Sequence, residues 1–178
     1  MTTTRDQILQ RSERAFDEHG FAASSMDHLT QAAGVSTRTL YKHVGSKNAL
    51  IEAVLRERSA RFFARVPPAS AAELFAQLER WTIEEGARGC FFLRAEADGR
   101  GSVEGVPAAV SEYRASLREL VARVVRSELG EHDDLLTDQL LVLVEGATSA
   151  ASYQGVAAVT AAASPAATLI GARRSAAS

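Results

Sequence analysis

The fold is decided by the stretch Ala32-Ala-Gly-Val-Ser-Thr-Arg-Thr-Leu-Tyr-Lys-His-Val-Gly-Ser-Lys47. Gly34 favours the left-handed conformation that ends a helix, and Ser36 is a good N-cap for the helix that follows. The spacing predicts short helices over residues 26–33 and 36–43, joined by a tight turn. These are the proportions of a helix-turn-helix, whose second helix enters the DNA major groove.

The side chains of this segment separate into an inward and an outward set. The apolar residues that helical spacing directs toward a core shared with a first and a fourth helix are Leu29, Ala33, Val35 and Leu40. The residues that remain free to face outward are Thr37, Arg38, Thr39, Tyr41, Lys42 and His43. Arg can bind guanine, Thr can contact base edges, and Lys, Tyr and Thr suit phosphate oxygens. Singly, an exposed Arg or Lys is usually an ordinary solvated surface charge, and Tyr41 could equally be a core residue. The prediction of DNA binding therefore depends on the set.

Helical spacing dominates the rest of the chain, so we predict an all-α protein. A first helix ends at His19-Gly20, and a longer fourth helix follows Gly45-Ser46. Val66-Pro-Pro-Ala marks the boundary between regions, since two prolines end a helix. Later helices are predicted to begin after Ser70, near Cys90, at Pro107, at Leu135 and at Ser164, the last two ending at Tyr153 and Arg174, with a loop from Asp98 to Gly105.

Composition excludes several classes of protein. Of the 178 residues, 46% are apolar and 24% are charged, which are average values for a globular domain and unlike those of disordered or fibrous chains. A single cysteine, Cys90, cannot form an internal disulfide. The first residues lack an apolar signal core, and the longest apolar run, Leu140 to Val144, cannot cross a bilayer. We therefore expect a cytoplasmic protein without a membrane segment.

The charge is unevenly distributed along the chain. Residues 1–65 contain ten Lys and Arg against seven Asp and Glu, whereas residues 66–178 contain ten against fifteen. Only the N-terminal third is therefore basic, which is typical of a small DNA-binding head on an unrelated acidic body.

The segment from Ala32 to Ile51, with Ala15-Phe16 and Gly20-Phe21 before it, resembles the DNA-binding head of the TetR family of transcriptional repressors over roughly residues 5–55. Thr30 and Val44 depart from the usual pattern, which favours Ala and Phe there. The resemblance implies that Thr37 and Arg38 contact bases. It implies phosphate or groove-edge contacts for Ser25, Thr39, Tyr41, His43 and Lys47, and Ser36 and Lys42 complete the predicted DNA-binding set.

The resemblance also implies the organisation of the whole chain. We expect a helix-turn-helix DNA-binding domain over residues 1–48, and a helical ligand-binding and dimerisation domain over residues 49–178. The implied protein is a homodimer, joined through its last two helices, that represses from a palindromic double-stranded DNA operator until an unknown small-molecule effector releases it. An activator or a ligand-independent DNA-binding protein is the alternative. The small residues Gly146 to Ala151 suit close packing against a second subunit or within their own.

The site for the effector is less well defined by the sequence. The candidate lining residues are Trp81, Phe92, Tyr113, Leu117 and Tyr153, with Glu84, Glu85 or Arg94 supplying polarity. Ordinary core positions are an equally good interpretation of the aromatic residues. An enzyme is the rival class, but Cys90 has no evident His or Asp partner, and Asp133 after His132 is explained by helix capping. We expect no catalytic residue, cofactor or metal site.

Overall fold

The computed structural model describes residues 3–98 and 105–177, and over these residues every regular element is an α-helix, which confirms the all-α class. Part of the loop predicted from Asp98 to Gly105 lies outside this range. The helices are α1 (Thr4–His19), α2 (Met26–Ala33), α3 (Thr37–Val44), α4 (Lys47–Phe63), α5 (Ala71–Glu85), α6 (Phe91–Asp98), α7 (Val106–Leu129), α8 (Asp134–Gln154) and α9 (Ala157–Ala177).

Most helix starts are set by a local hydrogen bond that the sequence encodes. A hydroxyl or carboxylate at the N-cap accepts the backbone N–H of the residue three positions later, which satisfies one of the free donors of the first turn. The N-caps of this kind are Thr3, Ser25, Ser36, Ser46, Ser70 and Asp133. At the first of them, the backbone N–H of Thr3 also donates to Asp6, and this hydrogen bond lowers the pKa of the Asp6 carboxyl.

The contacts group the chain into two units, of which the first comprises the described residues of Met1–Ala64 and Phe91–Tyr113. The predicted boundary between residues 48 and 49 separates a DNA-binding function from a ligand-binding and dimerisation function, and it stays a prediction. In this unit the ring of Phe21 stacks on Phe16 and also meets Phe91 of α6, with centroids 4.9 and 4.8 Å apart. The helix-turn-helix core is therefore completed by a segment that is distant in the sequence.

A buried ion network joins α1 to α4 inside the first unit. Glu13 of α1 accepts hydrogen bonds from Arg58 at 2.6 Å and from Arg61 at 2.8 and 3.0 Å. The Arg58 guanidinium also lies over the ring of Phe91, 4.6 Å from its centroid. Because a carboxylate removed from water is tolerated only when it is paired, these contacts explain why a charged residue occupies this core position.

The second unit comprises Arg65–Cys90 and Arg114–Ser178, so its helices are α5, most of α7, α8 and α9. Helix α9 packs against α8 and α5. Within the small-residue tract of α8, Ala147 and Ala151 are buried inside the chain, whereas Gly146 is exposed. The tract therefore serves close packing within this chain on one side and leaves a different side open.

The start of the last helix differs from the prediction. Helix α9 begins at Ala157, so Ser164 and Pro165, which were expected to open it, lie inside it. Residues 157–163 are mostly alanine, the strongest helix former, and they extend the helix toward its N-terminus. Pro165 is exposed, so its missing N–H falls on the solvent side of the helix. In the part of the chain that the structure describes, none of these helices has the length and apolarity needed to cross a membrane.

Candidate DNA-binding surface

The turn between α2 and α3 requires the glycine at position 34. Gly34 has φ 68° and ψ 34°, and its N–H donates to the carbonyls of Thr30 and Gln31, both 3.1 Å away. Arg11 lies behind this turn and donates to the carbonyl of Ala33 at 2.8 Å. A Cβ at position 34 would come within 2.6 Å of Nη1 of Arg11. Both the left-handed conformation and the close approach of Arg11 thus favour glycine at this position.

Helix α3 buries one side and exposes the other. Leu40 and Val44 are buried, so Val44 serves as the anchor beneath α3 where the family pattern favours Phe. The predicted base-contacting residues Thr37 and Arg38 are exposed at the first turn. Farther along the predicted surface, Tyr41 and Lys42 are exposed, and Thr39 and His43 are half-buried. The arrangement can present an N-terminal turn to base edges while polar groups on either side reach phosphates.

Three of the predicted polar residues are engaged in helix caps. Ser36 accepts the N–H of Thr39 at 3.2 Å, and the two hydroxyl oxygens are 2.8 Å apart. Ser25 accepts the N–H of His28 at 3.1 Å at the start of α2. The residues remain at the surface, since Ser25 and Ser36 are exposed. Each hydroxyl can therefore cap its helix and still lie beside a DNA backbone.

Lys47 lies at the first position of α4 and is held by the turn after α1. Its Nζ donates to the carbonyl of Ala22 at 3.2 Å. Partial burial lowers the pKa of Lys47 below its ordinary value, and the negative charge of Asp98 opposes this shift. The ammonium is thus placed at the N-terminal end of a helix, where the free backbone N–H groups also favour an anion such as phosphate.

Sequence reasoning missed the part of this surface that comes from α6. Asp98 accepts the backbone N–H of Phe21 at 2.9 Å and that of Ala22 at 3.4 Å. One turn earlier, Arg94 donates to the carboxylate of Asp17 at 2.7 Å and to its carbonyl at 2.8 Å. Arg94, one of the polar residues that the sequence predicts for the effector site, holds the end of α1, and its role toward an effector stays a prediction. The contacts join residues more than 70 positions apart, so helical spacing contains no signal for them.

The comparisons with known proteins agree with this geometry. Residues 8–54 match the family described as "Bacterial regulatory proteins, tetR family". Residues 8–54 form a domain of the TetR family. The matching residues include α2, α3 and the Gly34 turn, together with most of α1 and the first half of α4.

The relatives resemble this chain most in the head. The HTH-type transcriptional regulator UidR of Escherichia coli (strain K12) is 39% identical over 62 residues, which are 35% of this chain and 32% of UidR. The alignment thus spans about a third of the length of this curated relative. The HTH-type transcriptional repressor ComR of the same strain is 26% identical over 161 residues, 80% of this chain and 76% of ComR.

A solved structure extends the likeness to the TetR-family fold as a whole. A TetR transcriptional regulator from Legionella pneumophila matches with a TM-score of 0.80 at 17% sequence identity, over 94% of this chain and 97% of that one. At this identity the match shows that the fold is shared.

The residues predicted to line an effector site are divided between the two units. Phe92 and Tyr113 belong to the first unit, and their rings stack with centroids 3.7 Å apart. The other three belong to the second unit, where Leu117 is buried and Trp81 is half-buried beneath the guanidinium of Arg65. Tyr153 is 77% exposed. The assignment of these residues to a ligand site stays a prediction.

Two clefts in the second unit are lined by other residues. The larger, of about 580 Å³, lies beside the ends of α7 and α9, where Arg173 pairs with Asp133 at 2.9 Å and Arg174 pairs with Glu128. The smaller, of about 370 Å³, is lined by Asp138, Gln139, Val142, Leu143 and Leu169 of α8 and α9.

The histidines form a ring contact in the first unit, where the rings of His19 and His28 lie 4.7 Å apart. Over residues 3–98 and 105–177, no three His, Cys, Asp or Glu side chains converge as metal ligands.

Proposed function

We propose that this protein is a transcriptional repressor that binds a palindromic DNA operator as a homodimer and leaves it when a small-molecule effector binds. The observation that carries the proposal is the exposed N-terminal turn of α3, which presents Thr37 and Arg38 above an anchor of Leu40 and Val44. Arg can read guanine through two hydrogen bonds, and Thr can contact a base edge or the thymine methyl. The proposed DNA-binding domain covers residues 1–48.

Phosphate contacts would fix this helix in the groove. The groups available for them are the hydroxyls of Ser25, Ser36, Thr39 and Tyr41, and the cationic or polar side chains of Lys42, His43 and Lys47. Such contacts carry no sequence information themselves but set the register of the reading helix. Their positive charge also makes the affinity depend on salt, because binding releases counterions from DNA.

An exposed stripe along α8 supports the homodimer. Leu135, Val142 and Tyr153 are 58%, 69% and 77% exposed, and with Gly146 they recur at intervals of seven, four and seven residues, which places them on one side of the helix. Beside this stripe lies the shallow cleft lined by Val142 and Leu169. Exposed apolar residues along one side of a helix are a common site of association, and Gly146 allows a second backbone to come close.

A homodimer presents two DNA-binding heads, which together give the affinity and the half-site spacing that one small head lacks. Half-sites in successive major grooves are about 34 Å apart, so a dimer reads a palindrome. An effector bound in the proposed body, residues 49–178, would favour a head spacing that no longer matches these grooves, and the repressor population would shift to the free form. A regulator of this kind acts in the cytoplasm, where bacterial DNA lies.

Selection of bound duplexes from random-sequence DNA tests the proposal. We expect enrichment of a palindrome whose half-sites are centred about ten base pairs apart or a multiple of it. Enrichment of a single unrepeated motif would contradict the dimeric reading mode. No enrichment over random DNA would contradict sequence-specific regulation and favour a general DNA-binding protein. Placing the selected site upstream of a reporter then separates a repressor, which lowers expression, from an activator.

A further inference from the structure

The last residue of α6 holds the turn that follows α1. Oδ2 of Asp98 accepts the N–H of Phe21 at 2.9 Å and lies 3.4 Å from the N of Ala22. The preceding residue, Gly20, has φ 84°, and a Cβ there would lie 3.3 Å from the same oxygen. A glycine at position 20 therefore allows both the turn and the close approach of the carboxylate.

The backbone carbonyl of Ala22, in the same turn, holds Lys47. The carbonyl of Ala22 accepts a hydrogen bond from Nζ of Lys47 at 3.2 Å. The N–H of Ala22 thus donates to the Asp98 carboxylate of α6, and its carbonyl accepts a hydrogen bond from the Lys47 ammonium of α4. This juxtaposition links a residue near position 100 to the cation at the start of α4 through a single backbone unit.

We propose that Asp98 is a positioning residue for phosphate binding by Lys47, because it fixes the Phe21–Ala22 turn whose carbonyl holds the Lys47 ammonium at the start of α4. This inference rests on the proposed DNA-binding function. An ammonium has three N–H donors, so the hydrogen bond to Ala22 leaves two for a phosphate oxygen. A lysine side chain that is held in place before DNA arrives loses less conformational freedom on binding.

The negative charge of Asp98 lowers the affinity for DNA, whereas its positioning role raises it. A carboxylate near the DNA backbone repels phosphate, although Asp98 is exposed and solvent and salt screen this repulsion. Substitution by Asn separates the two effects, since the amide oxygen can still accept the turn N–H groups while the negative charge is gone. Substitution by Ala removes both.

The test measures binding of a fluorescent random-sequence DNA duplex by anisotropy over a range of salt concentrations. We expect Asp98→Ala to weaken binding by about two- to fivefold, the size of one exposed charge contact, and Asp98→Asn to bind at least as well as wild type. Lys47→Ala should lower the salt slope by about one. In the Lys47→Ala background, Asp98→Ala should have an effect of less than about twofold, because its partner is already absent.

Two controls separate the effect of positioning on DNA affinity from effects of folding and of charge. Thermal unfolding followed by circular dichroism checks that each variant folds, which we expect because Asp98 lies at the surface. Glu18→Ala removes another exposed carboxylate near the end of α1, which pairs with His19 at 3.9 Å, and should change affinity by less than about twofold.

Several results would overturn the inference. Binding by Asp98→Ala that equals or exceeds wild type would leave Asp98 without a positioning role, and an equal loss with and without Lys47 would show that it acts elsewhere. Failure of the wild-type protein to bind any duplex would overturn the proposed function and this inference with it. Wild-type binding that Asp98→Ala leaves unchanged overturns this inference alone.

Discussion

Glu13 of α1 and Arg58 of α4 form a buried ion pair, with 2.6 Å between Oε1 and Nη1 and side chains that are 7% and 8% exposed. Arg61, at the rim, donates two more hydrogen bonds to the same carboxylate. The desolvation of two charges offsets much of their attraction, so the pair contributes mainly by requiring that α1 and α4 meet in one register. Lys47 begins the same α4, so this register also decides where a predicted phosphate contact lies.

Loss of the Glu13 carboxylate should destabilise the protein strongly. We expect Glu13→Ala to lower the free energy of unfolding by about 3 to 5 kcal/mol, because the Arg58 guanidinium stays in the core without its counter-charge. Urea denaturation measures the change. Glu57→Ala removes an exposed carboxylate from the outer side of α4 and should alter stability by less than about 0.5 kcal/mol. Equal effects of the two substitutions would show that the buried pair has no special weight.

A side chain at position 34, in the α2–α3 turn, should destabilise the protein. Gly34→Ala places a Cβ at φ 68° and against Arg11, so we expect a loss of about 1 to 2 kcal/mol from the left-handed conformation alone, and weaker DNA binding. The thermal midpoint and duplex binding measure the two effects. Gly171→Ala in α9 meets no neighbour within 4 Å and should keep or raise the midpoint. A Gly34→Ala protein as stable as wild type would contradict the assigned turn.

Arg38 and Lys47 should affect DNA binding in different ways. Arg38→Ala should relax sequence preference at one base pair of the selected operator and cost about 1 to 3 kcal/mol there. Lys47→Ala should weaken operator and random DNA alike and reduce the salt slope by about one. Competition binding with single-base operator variants, repeated at several salt concentrations, separates them. If both variants lost affinity equally on operator and random DNA, α3 would not be the reading helix.

A charge on the exposed stripe of α8 should break the homodimer. We expect Val142→Glu to be a monomer at micromolar concentration, because two carboxylates would be brought together in an apolar contact. Light scattering after size exclusion measures the mass. Ile83→Glu on α5 changes a residue of similar type and exposure, 65% against 69%, and should leave the dimer intact. A dimeric Val142→Glu protein would show that this side of α8 is not the interface.

The head was predictable because its signals are local. Gly34 and Ser36 mark the end of α2 and the start of α3, and Leu40 and Val44 follow at helical spacing, so a few neighbouring residues determine the turn and the exposed side. The prediction of where α9 starts was wrong for the same reason. Ser164-Pro165 is a strong local start signal, and the prediction gave it more weight than the alanine-rich segment before it.

The contacts of α6 with α1 could not be predicted in this way. Arg94 and Asp98 reach Asp17 and Phe21 across 77 residues, and no periodicity relates positions that far apart. The candidate effector residues illustrate the same limit, since Phe92 and Tyr113 stack while Tyr153 lies on an exposed side of α8. Helical spacing tells which residues share a side of one helix, whereas the pairing of helices depends on the tertiary fold.

The grouping of α6 with the first unit bears on how such heads can be exchanged between proteins. A hybrid that joined residues 1–64 to the body of a relative would keep Glu13 and Arg58 but lose the ring of Phe91 and the carboxylate of Asp98. The unit that recombination must preserve is therefore a pair of separated segments. Exchange of DNA specificity by moving a contiguous N-terminal block would succeed only where the recipient's sixth helix already fits the incoming turn.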